Sequence, residues 1–335
     1  MAVENLLLDS FVRLLAKVSP PTAVRRAEAD GDVADILGGI EESGFMDALV
    51  PESRGGSGLS LADAVPLFLA AGGYLLPIPF AETAVARAVI AAAGAQSPPG
   101  KTIVLWPATH AGRLMSQVGP LCERSSLALV QRGAEFQLLP ITFGERRADP
   151  FRMRSARPEP DASPLAEFAL PHVDLLHWAA AITAANMAGA MERLLELSLA
   201  HVNDRQQFGR SIGKFQAIQQ QLSVFAERAV SARVAARIGL MGSNLTLDGR
   251  RVAIAKSVAN ESARASVSIA HAVHGAIGIS EAHELQLYTR RLNRWQLSFG
   301  SDAYWQRRVG RSRLKSSDAT GVDFVRTVIA GTEAC

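Results

Sequence analysis

Apolar residues recur every three or four positions in the first part of this chain. Leu7, Phe11 and Leu15 fall on one face of a first predicted helix, which Pro20-Pro21 ends. The helical pattern resumes beyond these prolines. The sequence therefore predicts an N-terminal helical domain over residues 1–97.

A glycine-rich stretch, Pro51 to Ser60, interrupts these helices. The third glycine of a G-x-G-x-x-G phosphate loop is missing, and no strand precedes the stretch. We interpret it as a turn, with Ser60 placed to cap the helix that follows.

Short strand-like runs replace the helical pattern after Ser97-Pro98-Pro99-Gly100. The predicted strands are Thr102 to Trp106, Ser126 to Gln131, Glu135 to Ile141 and Glu167 to Leu170. They indicate a small β domain over residues 98–171. Trp106 could stack on a ligand ring, but a tryptophan at a strand end is more often a core residue.

The helical period returns in the C-terminal part, which we predict to be a helical bundle over residues 172–335. Its long helical segments run from about Asp174 to Asn203, Lys214 to Leu245 and Arg251 to His274. One narrow apolar seam consists of Phe215, Ile218, Leu222, Phe225 and Ala229. A second stripe, predicted on an antiparallel neighbour after Asp248-Gly249, consists of Ile254, Val258, Ala265, Ile269 and Val273.

Composition limits the classes of function. The chain has 335 residues, 48% of them hydrophobic, enough for a large core in more than one domain. The net charge of +3 is interleaved along the sequence, which does not indicate nucleic acid binding. The only cysteines, Cys122 and Cys335, are far apart in the sequence, so we expect no disulfide framework. This pattern is typical of a protein located in the reducing cytoplasm. Without a basic leader or an apolar run of spanning length, we expect neither secretion nor membrane insertion.

The stretch from Asp204 to Gln216 joins a helix end, a turn and a helix start. Gly209 and Gly213 permit a sharp turn or the close approach of a ligand to the backbone. Arg205 offers a planar donor fork that suits a diphosphate. A purely structural interpretation is also open, in which Arg205 complements a helix C-terminus and Gly209 ends the helix.

This stretch resembles the flavin-contacting Arg-x-x-Phe-Gly signature of the acyl-CoA dehydrogenases. The segment His271 to Gly278 is similar to their Gln-x-x-Gly-Gly-x-Gly segment, with Ala272 in place of Gln and Ala276 in place of the second Gly. In that family these two segments of one subunit hold the FAD carried by the facing subunit. The resemblance implies FAD contacts at Arg205, Phe208, Phe215, Gln216, Ala272, His274, Gly275 and Ala276.

The resemblance covers nearly the whole chain and implies a mainly α fold with a small β domain. Its parts are the N-terminal helical domain, a reduced central β domain and a C-terminal four-helix bundle. His271 and His274 have the i, i+3 spacing of a metal-binding pair, but no third ligand is recognisable beside them, so no metal is expected.

The family's catalytic base is missing from the register where the resemblance places it. A gap-free count from Gly275 puts Phe299-Gly300-Ser301 where family members carry Glu-Gly-Thr. The other family position, on the first bundle helix, matches His177 to Ala181, which has no carboxylate. Asp302 is a weaker substitute, more simply read as a solvated or capping carboxylate.

These features resemble the smaller, non-catalytic subunit of heterotetrameric (α2β2) acyl-CoA dehydrogenases. The resemblance implies α,β-dehydrogenation of an acyl-CoA by a complex whose partner subunit carries the Glu and shares the FAD. Two alternatives remain open. One is a self-sufficient homo-oligomeric flavoenzyme with a non-standard base, and the other is a flavin-free structural partner.

Overall fold

The N-terminal part of the protein is helical. The structure, a computed structural model, describes residues 2–107, 126–142, 157–158 and 162–330. The first helices are α1 (Ala2–Val18), α2 (Pro21–Asp30), α3 (Ala34–Glu42), α4 (Leu61–Gly73) and α5 (Phe80–Ala92).

Two local predictions for this part are confirmed. Phe11 and Leu15 of α1 are fully buried, and the Phe11 ring stacks on that of Phe80 at a centroid distance of 4.9 Å. Ser60 caps α4, since its hydroxyl oxygen accepts a hydrogen bond from the Asp63 amide at 3.3 Å.

The four predicted strands and one short strand that the sequence did not predict form a five-stranded sheet. Its strands are β1 (Ile103–Pro107), β2 (Leu127–Arg132), β3 (Glu135–Thr142), β4 (Arg157–Pro158) and β5 (Ala166–Ala169). β1 pairs with β2 in parallel, whereas β3 pairs antiparallel with β2, β4 and β5.

The sheet has two buried faces, as alternation along a strand requires. Ile103 and Leu105 join the main core, whereas Val104 and Trp106 belong to a separate small cluster on the opposite face. Trp106 is fully buried, which supports its interpretation as a core residue.

The C-terminal part is a bundle of long helices connected by hairpins. It consists of α6 (Leu175–Asp204), β6 (Gln206–Gln207), β7 (Arg210–Ser211), α7 (Gln216–Gly239), β8 (Gly242–Ser243), β9 (Thr246–Leu247), α8 (Gly249–His274), α9 (Leu285–Leu297), α10 (Asp302–Lys315) and α11 (Gly321–Ala330). Helices α6, α7 and α8 pack against one another, and α4 of the N-terminal part packs on α6. The mainly α fold with a small sheet is therefore confirmed, while the exact domain boundaries stay predictions.

Glycines allow the close approach of α4 and α6. A Cβ atom built on Gly72 would lie 2.5 Å from the Asn186 Cα atom, and one on Gly189 would lie 2.7 Å from the carbonyl carbon of Leu69. Any side chain at either position would therefore force the two backbones apart.

The structure differs from the sequence prediction at the α7–α8 connection. Helix α7 ends at Gly239, and the β8–β9 hairpin then leads to Asp248, which caps α8. The predicted helix had extended to Leu245, because a short hairpin inside a helical region leaves little periodicity to detect.

The apolar stripe predicted on α8 is buried only at Val273. Val258 and Ile269 pack against the core but stay partly exposed. Since α8 packs against α6, α7, α9 and α10, its inner positions hold small or polar side chains. The fully buried ones include Ala253, Ala255, Lys256, Ala259, Asn260, Ala263, Ser266 and Ala270.

Within the described residues, none of the helices has the length and apolarity that crossing a membrane requires.

Candidate functional site

Arg205 and Phe208 stand at the surface where α6 gives way to a tight hairpin. The Arg205 amide donates to the His201 carbonyl at 2.9 Å and closes the last turn of α6. Phe208 and Gly209 form the hairpin turn with φ of 52° and 76°, the left-handed values that a two-residue hairpin requires. Phe208 is 90% exposed despite this unfavourable conformation for a phenylalanine.

A cation and two aromatic rings gather beside this turn. The Arg210 guanidinium lies 4.2 Å from the centre of the Phe215 ring, and the Phe208 ring meets Phe215 edge-on at 6.1 Å. Gln216 follows as the first, exposed residue of α7. Sequence reasoning missed Arg210, although it lies two residues beyond Phe208 and faces Gln207 across the hairpin.

The second predicted segment lies at the C-terminal end of α8. Ala272, Gly275 and Ala276 are exposed, and Gly275 ends the helix with φ of 61°. His274 is 5% exposed, and its Nδ1 atom lies 2.8 Å from the Ala270 carbonyl oxygen. Its backbone thus borders the surface while its ring points inward.

A cluster of imidazole rings brings the two segments together. The rings of His201 on α6 and His274 on α8 stack with centroids 4.4 Å apart. The His283 ring meets that of His274 edge-on at 5.2 Å. His201 lies one helical turn before Arg205, so the predicted cation and the α8 segment are neighbours. We call His201, His274 and His283 the histidine cluster.

Burial lowers the pKa of two rings of this cluster. It lowers the pKa of His274 to about 4, although the hydrogen bond to the Ala270 carbonyl acts in the opposite direction. It also lowers the pKa of His201, where the Arg205 guanidinium adds repulsion. Sequence reasoning named His274 as a FAD contact and paired its ring with that of His271, but it missed His201 and His283, which come from other elements.

The exposed groups at these two segments suit a dinucleotide phosphate. In the described part of the chain, no carboxylate forms an ion pair with the Arg205 guanidinium, which leaves its donor fork available to a ligand. Exposed backbone at Gly209 and Gly275 has no side chain that would hinder a close approach, and space lies open beside both. Among the same residues, no group of three or more His, Cys, Asp or Glu side chains is arranged to hold a metal ion.

The register in which the resemblance predicts a catalytic base lies in the loop between α9 and α10. Phe299 has φ of 53°, its ring is partly buried, and its carbonyl oxygen accepts a hydrogen bond from the Trp305 indole at 2.9 Å. Asp302 begins α10 and forms an ion pair with Arg264 on α8. On the first bundle helix, residues 178–181 are buried and carry no carboxylate.

A buried lysine holds the helix that leads into this loop. The Lys256 Nζ atom donates to Asn260 Oδ1 at 2.6 Å and to the Trp295 carbonyl at 2.8 Å, in the last turn of α9. Its side chain is 0% exposed, and burial lowers its pKa to about 7, although Asp302 acts in the opposite direction.

One carboxyl group with a perturbed pKa lies elsewhere. Glu82, in the first turn of α5, accepts a hydrogen bond from the Leu105 amide at 2.9 Å, and burial raises its pKa to about 7. It borders a small cavity together with Asn186 and Trp295. The Oδ1 atom of Asn186 is buried there without a hydrogen-bond partner. Nothing in the sequence around Glu82 distinguishes it from an ordinary helix-start carboxylate.

Comparisons with known proteins agree with this architecture. Residues 173–314 match the family described as Acyl-CoA dehydrogenase, C-terminal domain. Acyl-CoA dehydrogenase IpdE2 of Mycolicibacterium smegmatis is 27% identical over 309 residues, covering 86% of this chain and 91% of the relative.

Two solved structures share the fold at lower identity. The Tcur3481-Tcur3483 steroid ACAD G363A variant matches with a TM-score of 0.79 and 19% identity, over 93% of this chain and 98% of the other. The ChsE4-ChsE5 complex from Mycobacterium tuberculosis matches with a TM-score of 0.75 and 18% identity, over 95% and 99%. Residues 173–314 thus match an acyl-CoA dehydrogenase C-terminal domain, and the chain as a whole is similar to acyl-CoA dehydrogenases in sequence and in fold.

Proposed function

We propose that this chain is the non-catalytic subunit of a heteromeric, cytoplasmic acyl-CoA dehydrogenase. Its role is to contact the adenosine diphosphate part of a FAD that it shares with a partner subunit. The partner carries the catalytic Glu and the acyl-CoA, and the functional unit is the pair, as in an α2β2 heterotetramer.

The FAD contact is supported by the proximity of the two predicted segments. Arg205 supplies a donor fork for the diphosphate, and the turn at Phe208 and Gly209 offers backbone beside it. Gly275 and Ala276 are exposed next to the buried His274, whose ring belongs to the histidine cluster. When bound, a flavin supplies the acceptor for the hydride that leaves the acyl β-carbon. This chain's residues bind and orient it.

The observation that carries the proposal is the absence of a usable carboxylate at both family positions of the base. Removing the α-proton of an acyl-CoA requires such a group within reach of the substrate. Phe299 has no proton acceptor, and Asp302 is engaged by Arg264. A base in the partner is the simplest way to complete the reaction.

A heteromeric assembly is further supported by the solved structures of similar fold. The ChsE4-ChsE5 complex and the Tcur3481-Tcur3483 steroid ACAD each contain two different components. On this chain, Phe208 and Ile279 are large apolar side chains that stand 90% and 77% exposed beside the proposed FAD contacts. Exposed apolar residues of this size are characteristic of interfaces.

The proposal is tested by replacing Arg205 in the co-expressed complex. Arg205→Ala should weaken FAD binding to the stripped complex by about 1.5–3 kcal/mol, the usual worth of a charge-assisted contact. Arg205→Lys should restore part of this loss, because a point charge cannot form two parallel hydrogen bonds.

Arg311→Ala provides the matched control, since Arg311 is an exposed arginine on α10. FAD affinities are measured by fluorescence titration of each apo complex. Equal affinities for the wild type, Arg205→Ala and Arg205→Lys would mean that Arg205 is a structural helix-end residue, as a flavin-free scaffold would require.

The self-sufficient flavoenzyme is kept as a second candidate because of Glu82. It combines a carboxyl group, a pKa raised to about 7 and a position beside a cavity, which are properties of a general base. If Glu82→Gln abolishes turnover and substitution of the partner's Glu does not, this candidate replaces the heteromeric one.

A further inference from the structure

The histidine cluster lies beside the proposed diphosphate contact, and the proposed function assigns no role to its rings. Its rings come from the C-terminal turns of α6 and α8 and from the turn before α9. The Nε2 atom of His274 is buried and has no hydrogen-bond partner. A buried polar atom without a partner is costly in a structural core, so the cluster calls for an explanation.

The hydrogen bonds define the protonation of two rings. His274 Nδ1 faces the Ala270 carbonyl and therefore carries the hydrogen, which leaves Nε2 as an acceptor. His283 Nδ1 accepts a hydrogen bond from the Leu285 amide at 3.1 Å and therefore carries no hydrogen. His201 forms no hydrogen bond through its ring in the described part of the chain, and its ring is partly exposed.

The charges around His201 oppose its protonation. Burial is the largest cause of its lowered pKa, the Arg205 guanidinium adds repulsion, and the Asp204 carboxylate attracts a proton to it. The groups that act on the cluster are Asp204 and Arg205 from α6, His271 from α8 and His283 from the turn before α9. From α2, Arg25 donates hydrogen bonds to the carbonyls of Glu281 and Ala282 in the same turn. A dianionic ligand on Arg205 would offset the repulsion from that guanidinium, and its negative charge would favour the protonated form of the nearby His201 ring.

We propose that His201 is a proton-dependent part of the diphosphate site, so that FAD binding draws one proton from solvent onto the histidine cluster. The inference rests on the proposed function, because it requires the diphosphate at Arg205. His201 is the member that gains the proton, since it is one turn from Arg205 and partly exposed. His274 accommodates the resulting imidazolium by stacking, and its lone pair at Nε2 adds negative potential.

Proton uptake has a measurable consequence for affinity. Between the pKa values of the cluster in the unliganded and the liganded complex, the FAD association constant rises by up to tenfold for each unit by which the pH is lowered. A site made of Arg205 and backbone amides alone has no such dependence near neutral pH, because these groups do not titrate there.

The test is calorimetric titration of the FAD-stripped complex with FAD near pH 7, in two buffers of different ionisation enthalpy. The difference between the two observed enthalpies gives the number of protons taken up. We expect uptake of a substantial fraction of one proton by the wild-type complex. His201→Gln, which keeps a polar side chain but cannot be protonated, should show none and a flat pH profile. His172→Gln replaces an exposed histidine and should behave as the wild type.

Zero uptake in the wild type, or unchanged uptake in His201→Gln, overturns the inference. If the His201→Gln complex does not assemble, the pH profile of FAD affinity is measured for the wild type instead. A flat profile would overturn the inference as well. Arg205→Ala separates this from failure of the proposed function. If the Arg205→Ala complex binds FAD normally, the diphosphate does not lie at Arg205 and the proposed function fails. If Arg205→Ala weakens FAD binding but the wild type takes up no proton, only the role of His201 is contradicted.

Discussion

The buried amine of Lys256 makes the stability of the chain depend on pH in a way that one substitution removes. Its pKa is lowered from 10.5 to about 7 by burial. Between these values the unfolded chain holds a proton that the folded chain has released, so the free energy of unfolding rises as the pH is raised. Below about pH 7 the buried amine lowers the free energy of unfolding by the full amount, and above about pH 10 it no longer lowers it.

The size of this change follows from the shift. A difference of about 3.5 pH units corresponds to about 5 kcal/mol at about 1.4 kcal/mol per unit. Lys256→Met has a similar volume and no charge, but it leaves Asn260 Oδ1 and the Trp295 carbonyl without their donor. Each orphaned acceptor costs about 1–3 kcal/mol. At neutral pH, the removal of the penalty for burying the amine and the cost of the two orphaned acceptors nearly cancel. At about pH 10 the wild type no longer carries that penalty, so the variant should be destabilised by several kcal/mol.

The assay is urea unfolding of the full-length chain, followed by circular dichroism at several pH values from about 7 to about 10. Lys315→Met, at the exposed end of α10, controls for the loss of a lysine. We expect the wild type and the control to gain stability with pH and Lys256→Met to lose that gain. A variant with the wild-type slope, or with the same loss at every pH, would refute the reasoning.

Further predictions concern carboxylates and the register of the catalytic base. Glu82→Gln should flatten the pH dependence of unfolding between 4.5 and about 7, because the raised pKa makes the wild type lose stability as the pH rises through this window; equal slopes would contradict this. The same variant should keep turnover when assayed in the complex with acyl-CoA and an artificial acceptor. Phe299→Ala should leave turnover largely intact and cost about 1–3 kcal/mol of stability, since its ring is only partly buried. Asp302→Asn should also keep turnover, and its loss would place the base in this chain.

The sequence was sufficient for features with a local signal. Ser60 was recognisable as a helix cap, and the short run from Thr102 to Trp106 indicated a strand. Arg205 and Phe208 stood out because glycines surround them in a recognisable motif. Each of these depends on interactions within a few residues of the chain.

Features made by distant elements left no such signal. His201 and His283 join His274 only after α6, α8 and the turn before α9 have packed together. The lysine in the core was equally hidden, because Lys256 is buried by α9 and satisfied by the Trp295 carbonyl, 39 residues away. The inner face of α8 was misjudged for the same reason, since packing on several sides selects small side chains over large apolar ones.

The most direct test of the central claim is the flavin content of this chain purified alone and co-purified with its partner. Absorbance at the flavin band is compared with protein concentration for each preparation. The account predicts little or no flavin in the chain alone and about one FAD per pair of subunits in the complex, because the cofactor needs contacts from both. Stoichiometric FAD in the chain alone would contradict the division of labour between the two subunits.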